Sequence, residues 1–298
     1  MRASAGIAGF FLILAVAIAA PDEPFSQESK EESLEKIRLY ARVNINVADV
    51  RAERKGRSER VSQALFNELV EIIKEEEKYC GIRQEDGYEG WIRKQFLTAH
   101  DRFQGNGPFI VAKNLASAFI KPDLSSKRVT SIPYGCLLYG REIDGFLKIF
   151  SERYGEFFIN SSDYMDIENF HKAAELDSTN IVAEADKFLG APYLWGGRSF
   201  FGIDCSGFVQ TIMNRFDIAL PRDTKDQIRT GVEIKREDIR AGDLLFFPRH
   251  VTLALSKDLM IHSTPSNGGV AYNSLDPESP IYSKHHDESF ITARRVSE

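Results

Sequence analysis

The chain has 298 residues, 43% hydrophobic and 28% charged, enough for about two or three domains with buried cores. Its 38 Lys and Arg against 44 Asp and Glu give a net charge of −6, which leaves no positive surplus for a dedicated nucleic-acid surface. Beyond the first twenty residues no stretch is long and apolar enough for a membrane helix.

Met1 and Arg2 precede an apolar run over 7–20 that is too short and small-residued to span a bilayer comfortably. Ala17-Ile18-Ala19 fits the small-x-small cleavage rule, so residues 1–19 are expected to be a signal peptide. No Cys follows to carry a lipid anchor. The mature protein is therefore expected to be exported, periplasmic or secreted, with no membrane attachment. Residues 20–35 are rich in Glu, Ser and Lys and read as a flexible leader.

Short β-type stretches follow at 39–47, 69–73, 79–83 and 88–92, separated by turns such as Glu85-Asp86-Gly87. This spacing predicts a small β-barrel. The style repeats at 109–112, 131–138, 146–150 and 156–159, which predicts a second, although no internal identity marks a repeat. From 167 the pattern changes. Residues 169–176 and 181–189 have helical spacing, and Gly190 and Pro192 stop the second helix. Phe208, Val209, Ile212, Met213 and Phe216 form one apolar helical face. Residues 244–247, 251–255 and 260–263 read as strands, so the last third is α+β, a helix packed on an antiparallel sheet. The three cysteines, Cys80, Cys136 and Cys205, leave at least one free thiol; Cys80 and Cys136 read as small buried hydrophobes, and spacing alone does not decide whether they pair.

The densest signal is Pro192-Tyr193-Leu194-Trp195-Gly196-Gly197 followed by Asp204-Cys205-Ser206-Gly207. Cys205 directly precedes the amphipathic helix, where unpaired N–H groups and the positive end of the macrodipole favour thiolate and would bind an oxyanion. Of the six histidines, His250 opens one strand and His262 lies in the next. Adjacent antiparallel strands set such rings side by side on one face. His250 would then be base and acid for Cys205, with His262 holding its ring. Metal catalysis is not expected: His285 and His286 would face opposite ways if extended, and no H-E-x-x-H or paired C-x-x-C occurs. Gly196-Gly197 lacks the Lys of a phosphate loop, and no cofactor is expected.

The stretch from 178 to about 275 resembles the NlpC-type cell-wall peptidases. The matching segments begin at Gly190, Asp204, Leu220-Pro221-Arg222-Asp223, Ala241-Gly242-Asp243, His250-Val251 and Met260-Ile261-His262-Ser263. The resemblance implies a papain-like α+β catalytic domain over 166–298, with Cys205, His250 and His262 as catalytic trio and Tyr193 assisting the oxyanion site. The family usually has Gly and an aliphatic residue where Thr252-Leu253 stand; Thr is a good strand residue, so little effect is expected. The most similar subgroup carries two bacterial SH3-like barrels, here 36–104 and 105–165. Its members cut between γ-D-glutamate and lysine or diaminopimelate in peptidoglycan-derived peptides with a free N-terminal L-alanine.

In that subgroup an acidic residue and a tyrosine of the first barrel recognise the amine, matching Glu59 and Tyr88. A buried ammonium needs such a carboxylate and acceptors, and Asp223 would add charge. Ser206, Thr224 and Arg222 would take the D-glutamate α-carboxylate, and Asp204 and Trp195 belong to the same substrate-binding set. Two other readings stay open: a wall amidase or acyltransferase using the same Cys-His pair, and a non-catalytic wall-binding protein. The sequence leaves open lysine against diaminopimelate, self against foreign wall, and the oligomeric state.

Overall fold

The computed structural model describes residues 39–99, 105–172 and 175–297; the expected signal peptide and leader lie outside the described residues. Among the described residues no helix is long and apolar enough to cross a membrane.

The first region contains β1 (Leu39–Val43), β2 (Val47–Arg51), β3 (Arg60–Leu65), β4 (Leu69–Glu75), β5 (Tyr79–Arg83), β6 (Glu89–Arg93) and β7 (Leu97–Ala99). They form one sheet in the order β3-β2-β6-β5-β4-β1-β7. Alternation sends Ala48, Val50, Ile82 and Ile92 into a common core with Val43 and Val70. The second region contains β8 (Asn106–Val111), β9 (Leu115–Phe119), β10 (Arg128–Pro133), β11 (Leu137–Ile143), β12 (Phe146–Ser151), β13 (Gly155–Asn160) and β14 (Tyr164–Asp166). Its order is β10-β9-β13-β12-β11-β8-β14, which is the first order with seven added to every label. The two regions therefore repeat one topology without repeating a sequence. The single strand expected at 131–138 is two, β10 and β11, broken at Gly135, whose φ of 80° suits glycine. Cys80 and Cys136 are free, and each is buried in a different one of these two cores.

The two sheets share apolar contacts at the turn after β3. Leu65, the last residue of β3, and Phe66 after it enter the second core, where Phe66 meets Phe157 edge-on with centroids 6.1 Å apart. Asn67 Nδ2 donates to the Leu137 carbonyl at 2.7 Å beside it.

The third region opens with α1 (Ile167–Lys172) and α2 (Ser178–Ala185), the latter capped by Asp177 and continued by a short 3-10 turn over Asp186–Phe188. Two short strands, β15 (Arg198–Ser199) and β16 (Gly202–Ile203), lead to α3 (Cys205–Asn214) and α4 (Thr224–Gln227). A six-stranded sheet follows from β17 (Val232–Ile234), β18 (Leu244–Phe247), β19 (His250–Ala254), β20 (Leu259–Thr264), β21 (Gly269–Ser274) and β22 (Thr292–Arg295), with α5 (Lys284–Ser289) before the last strand. Its order is β17-β22-β18-β19-β20-β21. Phe208, Val209, Ile212 and Met213 of α3 are fully buried in a core with Val251 and Leu253 of β19 and Ile261 of β20. Each such side chain contributes about 1.5–3 kcal/mol. This packing seats the start of α3 by the strands that carry both histidines.

Truncating Phe66→Ala removes the plug between the two sheets. It is expected to lower unfolding free energy by about 3–5 kcal/mol in a denaturant titration. A loss below about 1 kcal/mol would mean that the sheets do not depend on this contact.

Candidate active site

Asp204 is the N-cap of α3 and accepts the Gly207 N–H at 2.7 Å. Its other oxygen accepts the Gly196 N–H at 2.8 Å, which ties the loop before Cys205 to the helix. Arg222 closes on both oxygens, at 3.0 and 2.6 Å, and also donates to Ser206 Oγ at 2.9 Å and to the Gly197 carbonyl. The Arg222 side chain is 1% exposed, and this fork geometry offsets the desolvation of both ions. The approach is close enough that a Cβ on Gly207 would lie 2.3 Å from the Gly197 oxygen. Asp204, Ser206 and Arg222, expected at the substrate, are thus bonded to one another in a buried cluster that flanks Cys205 in the chain, because the Asp204 cap needs a counter-charge out of water.

Cys205 begins α3 and is 6% exposed. Its sulfur lies 3.8 Å from Thr224 Oγ1, at the first position of α4. Burial and then the Asp204 charge push the thiol up, against hydrogen bonds from the Val251 backbone, Thr224 and the Ser206 backbone. The helix terminus therefore does not by itself produce a resting thiolate here, and a base is needed to take the proton. Tyr193 sits in the same electrostatic neighbourhood; burial and then Cys205 push its phenol up to about 12.

The bond from the Val251 backbone brings the start of β19 to the sulfur. From His250, at that start, a chain of hydrogen bonds runs across three strands. His250 Nε2 lies 2.7 Å from His262 Nδ1, and His262 Nε2 lies 2.9 Å from Asn273 Oδ1. Both pairs are diagonal across the ladder, since Leu253 faces Ile261 and His262 faces Ala271. Asn273 Nδ2 donates to the Ile281 carbonyl at 3.2 Å, and this orients the amide. Its oxygen must accept, so His262 carries its proton on Nε2 and offers Nδ1 as acceptor. His250 must then donate from Nε2, which leaves Nδ1 with a free lone pair. Burial, followed by the His262, His286 and His285 rings, pushes His250 down to about 2, so the ring is neutral. Burial pushes His262 down to about 4, against the opposing Asn273 bond.

The first sheet supplies one rim. Glu59 Oε1 accepts the Trp195 indole N–H at 2.8 Å, and Tyr88 donates its hydroxyl to Asp223 Oδ2 at 3.3 Å. Burial and then Asp223 push the Tyr88 phenol up to about 12. Three further contacts hold this rim. Asp86 accepts from Gln210 of α3 at 2.8 Å, Arg198 donates to the Gln63 carbonyl at 2.8 Å, and Arg60 donates to the Trp195 carbonyl at 3.2 Å. Gly196 allows this docking: its φ is 74°, and a Cβ there would lie 2.7 Å from the Arg60 oxygen. Among the described residues the second sheet adds none of the expected site residues.

Two residues near the histidines had no signal in the sequence beyond residue type. Asn273 lies in β21, a strand not anticipated, two positions from the partner of His262. His286 lies on helix α5 rather than in an extended segment; it is 7% exposed, whereas His285 is exposed. Burial, then His262 and His285, push His286 down to about 4. Thr252 is fully buried, and its hydroxyl has no hydrogen-bond partner.

Asp204→Ala leaves Arg222 charged and buried, and is expected to cost about 3–5 kcal/mol in denaturant unfolding; a cost below about 1 kcal/mol would contradict the buried pair. The folded-state values of His262 and His286 lie below the ordinary 6.5, so the unfolded chain binds more protons on acidification. Stability is then full above pH about 6.5 and falls below it, by about 2 kcal/mol for each ring at pH 5. A thermal midpoint unchanged between pH 7 and 5 would contradict this.

Residues 190–292 match the NlpC/P60 family, and residues 46–98 match the bacterial SH3 domain. A gamma-D-glutamyl-L-lysine dipeptidyl-peptidase of Bacillus subtilis (strain 168) is 30% identical, over 75% of this chain and 78% of its own. A Bacillus cereus (strain ATCC 10987 / NRS 248) protein of the same name is 27% identical, over 78% of this chain and 74% of its own. In fold, the chain is similar to the crystal structure of an NlpC/P60 family protein from Bacillus cereus ATCC 10987, with a TM-score of 0.72 at 22% identity over 86% of this chain and 99% of that one. With a thiol at the start of a helix beside strands that carry paired histidines, the chain belongs to the NlpC/P60 family and is a cysteine peptidase of the cell-wall type.

Proposed function

We propose that the protein hydrolyses the bond between γ-D-glutamate and the following L-diamino acid in peptidoglycan-derived peptides that carry a free N-terminal L-alanine. The observation that carries this reading is the rim where Glu59 meets Trp195 and Tyr88 meets Asp223, the residue before the Thr224 that lies against Cys205. Two carboxylates and a phenol on this rim suit an ammonium group, and an acylated amine carries no charge for them to pair. The name of the Bacillus subtilis relative, gamma-D-glutamyl-L-lysine dipeptidyl-peptidase, supports the same bond class. We read the two seven-stranded sheets as two SH3-like barrels and the third region as papain-like. The N-terminal apolar run supports export as the setting.

In this reading His250 Nδ1 takes the Cys205 proton as sulfur attacks the γ-glutamyl carbonyl. First-turn N–H groups of α3 and the Tyr193 hydroxyl stabilise the oxyanion. The C–N bond breaks as His250 returns the proton to the amine of the departing diamino acid. Water, deprotonated by His250, then cleaves the thioester and releases L-Ala-D-Glu. His262 holds the His250 tautomer, and Asn273 holds that of His262. The Thr224 hydroxyl is the group left to meet the α-carboxylate, while Arg222 acts through Asp204.

Mass-spectrometric assay of L-Ala-γ-D-Glu-diaminopimelate, with and without an N-acetyl cap, tests this. The dipeptide should be released from the free-amine peptide alone and not by Cys205→Ala; cleavage of the capped peptide would overturn the amine pocket. Glu59→Gln should raise KM about tenfold with kcat held, the equivalent of about 1.4 kcal/mol of lost charge pairing. An unchanged KM would remove Glu59 from the site. Asn273→Leu should lower kcat about tenfold or more with little change in KM, since it frees the tautomer of the base.

A further inference from the structure

We propose that His250, His262 and His286 form a binding site for a divalent transition-metal ion, best suited to Zn2+, and that its occupancy switches the peptidase off. One ring nitrogen from each lies within 4.8 Å of the others. The three ring centroids are 4.9, 5.3 and 4.9 Å apart. Tetrahedral zinc with Zn–N bonds near 2.0–2.1 Å spaces its nitrogens about 3.4 Å apart. The ligand set therefore lies within about 1.4 Å of closure at every pair.

Two of the three rings already have the outer partner that metal-bound histidines require. His262 keeps Nε2–H on Asn273 and presents Nδ1; His286 has Nδ1 against Ser283 Oγ at 2.7 Å and presents Nε2. His250 presents Nε2 once the proton there moves to Nδ1, so no net proton is released. Thr252, opposite His262 in the ladder by the β19–β20 register, is fully buried with an unpartnered hydroxyl, a polar group for the water that completes a four-coordinate ion. With Nδ1 protonated, His250 has no lone pair for the Cys205 thiol. This inhibition rests on the assignment of His250 as base; the binding does not.

The test separates this site from the thiol. Full-length Cys205→Ala protein is titrated with Zn2+ by calorimetry and with Co2+ by visible absorption. One ion per chain should bind, with tetrahedral Co2+ bands and no sulfur charge-transfer band. Cys205→Ala combined with His286→Phe, a change that keeps an aromatic ring against Phe247, should bind more than about tenfold more weakly. In the chain with Cys205 intact, His286→Phe should keep its metal-free peptidase activity and need more than about tenfold more Zn2+ for half inhibition. Ring 15N shifts of Cys205→Ala should move for all three histidines on adding Zn2+, a readout independent of whether His286→Phe folds. Binding lost in Cys205→Ala, or shifts confined to His250, would place the ion on the Cys205–His250 pair and overturn the proposal, as would no binding at all.

Discussion

The proposed chemistry depends on the direction of one hydrogen-bond chain, and a main-chain carbonyl sets that direction. The Ile281 oxygen can only accept, so Asn273 turns its NH2 toward it and its oxygen toward His262. Every proton position from there to His250 follows by alternation. Side-chain amides and imidazoles are each ambiguous alone, but a backbone acceptor is not. The neutral rings, held neutral by burial, make the chain a relay of donors and acceptors rather than of charges. In the proposed mechanism the free lone pair left on His250 acts on the Cys205 thiol, whose protonated form burial and the Asp204 charge favour.

A second constraint works at the start of α3, next to Cys205. The Asp204 carboxylate caps α3, holds the loop through Gly196 and pairs with Arg222, so helix, loop and the approach to α4 share one anchor. The same loop is pressed against the first sheet at Arg60, which is how a region 136 residues away in sequence contributes Glu59 to the rim at Trp195. The second sheet has a different part. It takes Phe66 from the first and lends Ile110 and Tyr134 to the core of the third region.

The local geometry of the candidate site was legible because it rests on short-range patterns. Cys205 before an amphipathic helix, and histidines on consecutive short strands, need only helix and strand periodicity to be brought together. Strands bounded by clear turns, such as β5 and β18, matched expectation to the residue, whereas β3, β9 and β21 were not anticipated. β3 begins in a charged stretch whose polar residues Ser62 and Gln63 are both buried, Gln63 against Arg198, so its pattern is not that of a half-solvated strand. The roles of Arg222 and Ser206 could not be read either, since a motif position does not tell whether a polar group faces substrate or a buried counter-ion. The His286 contact depended on α5, a six-residue helix too short to show periodicity. The twofold topology of the sheets was invisible because backbone pairing, not side-chain identity, is what repeats.

The central claim is that His250 rests as a neutral base with its proton on Nε2. Long-range 1H–15N correlation spectra of histidine-labelled protein at pH 7, in chelator, measure this directly. The account predicts an Nε2–H tautomer for both His250 and His262, with the His250 Nε2 proton shifted by its bond to His262, and collapse of that pattern in Asn273→Leu. A resting His250 imidazolium, or an Nδ1–H tautomer, would contradict it.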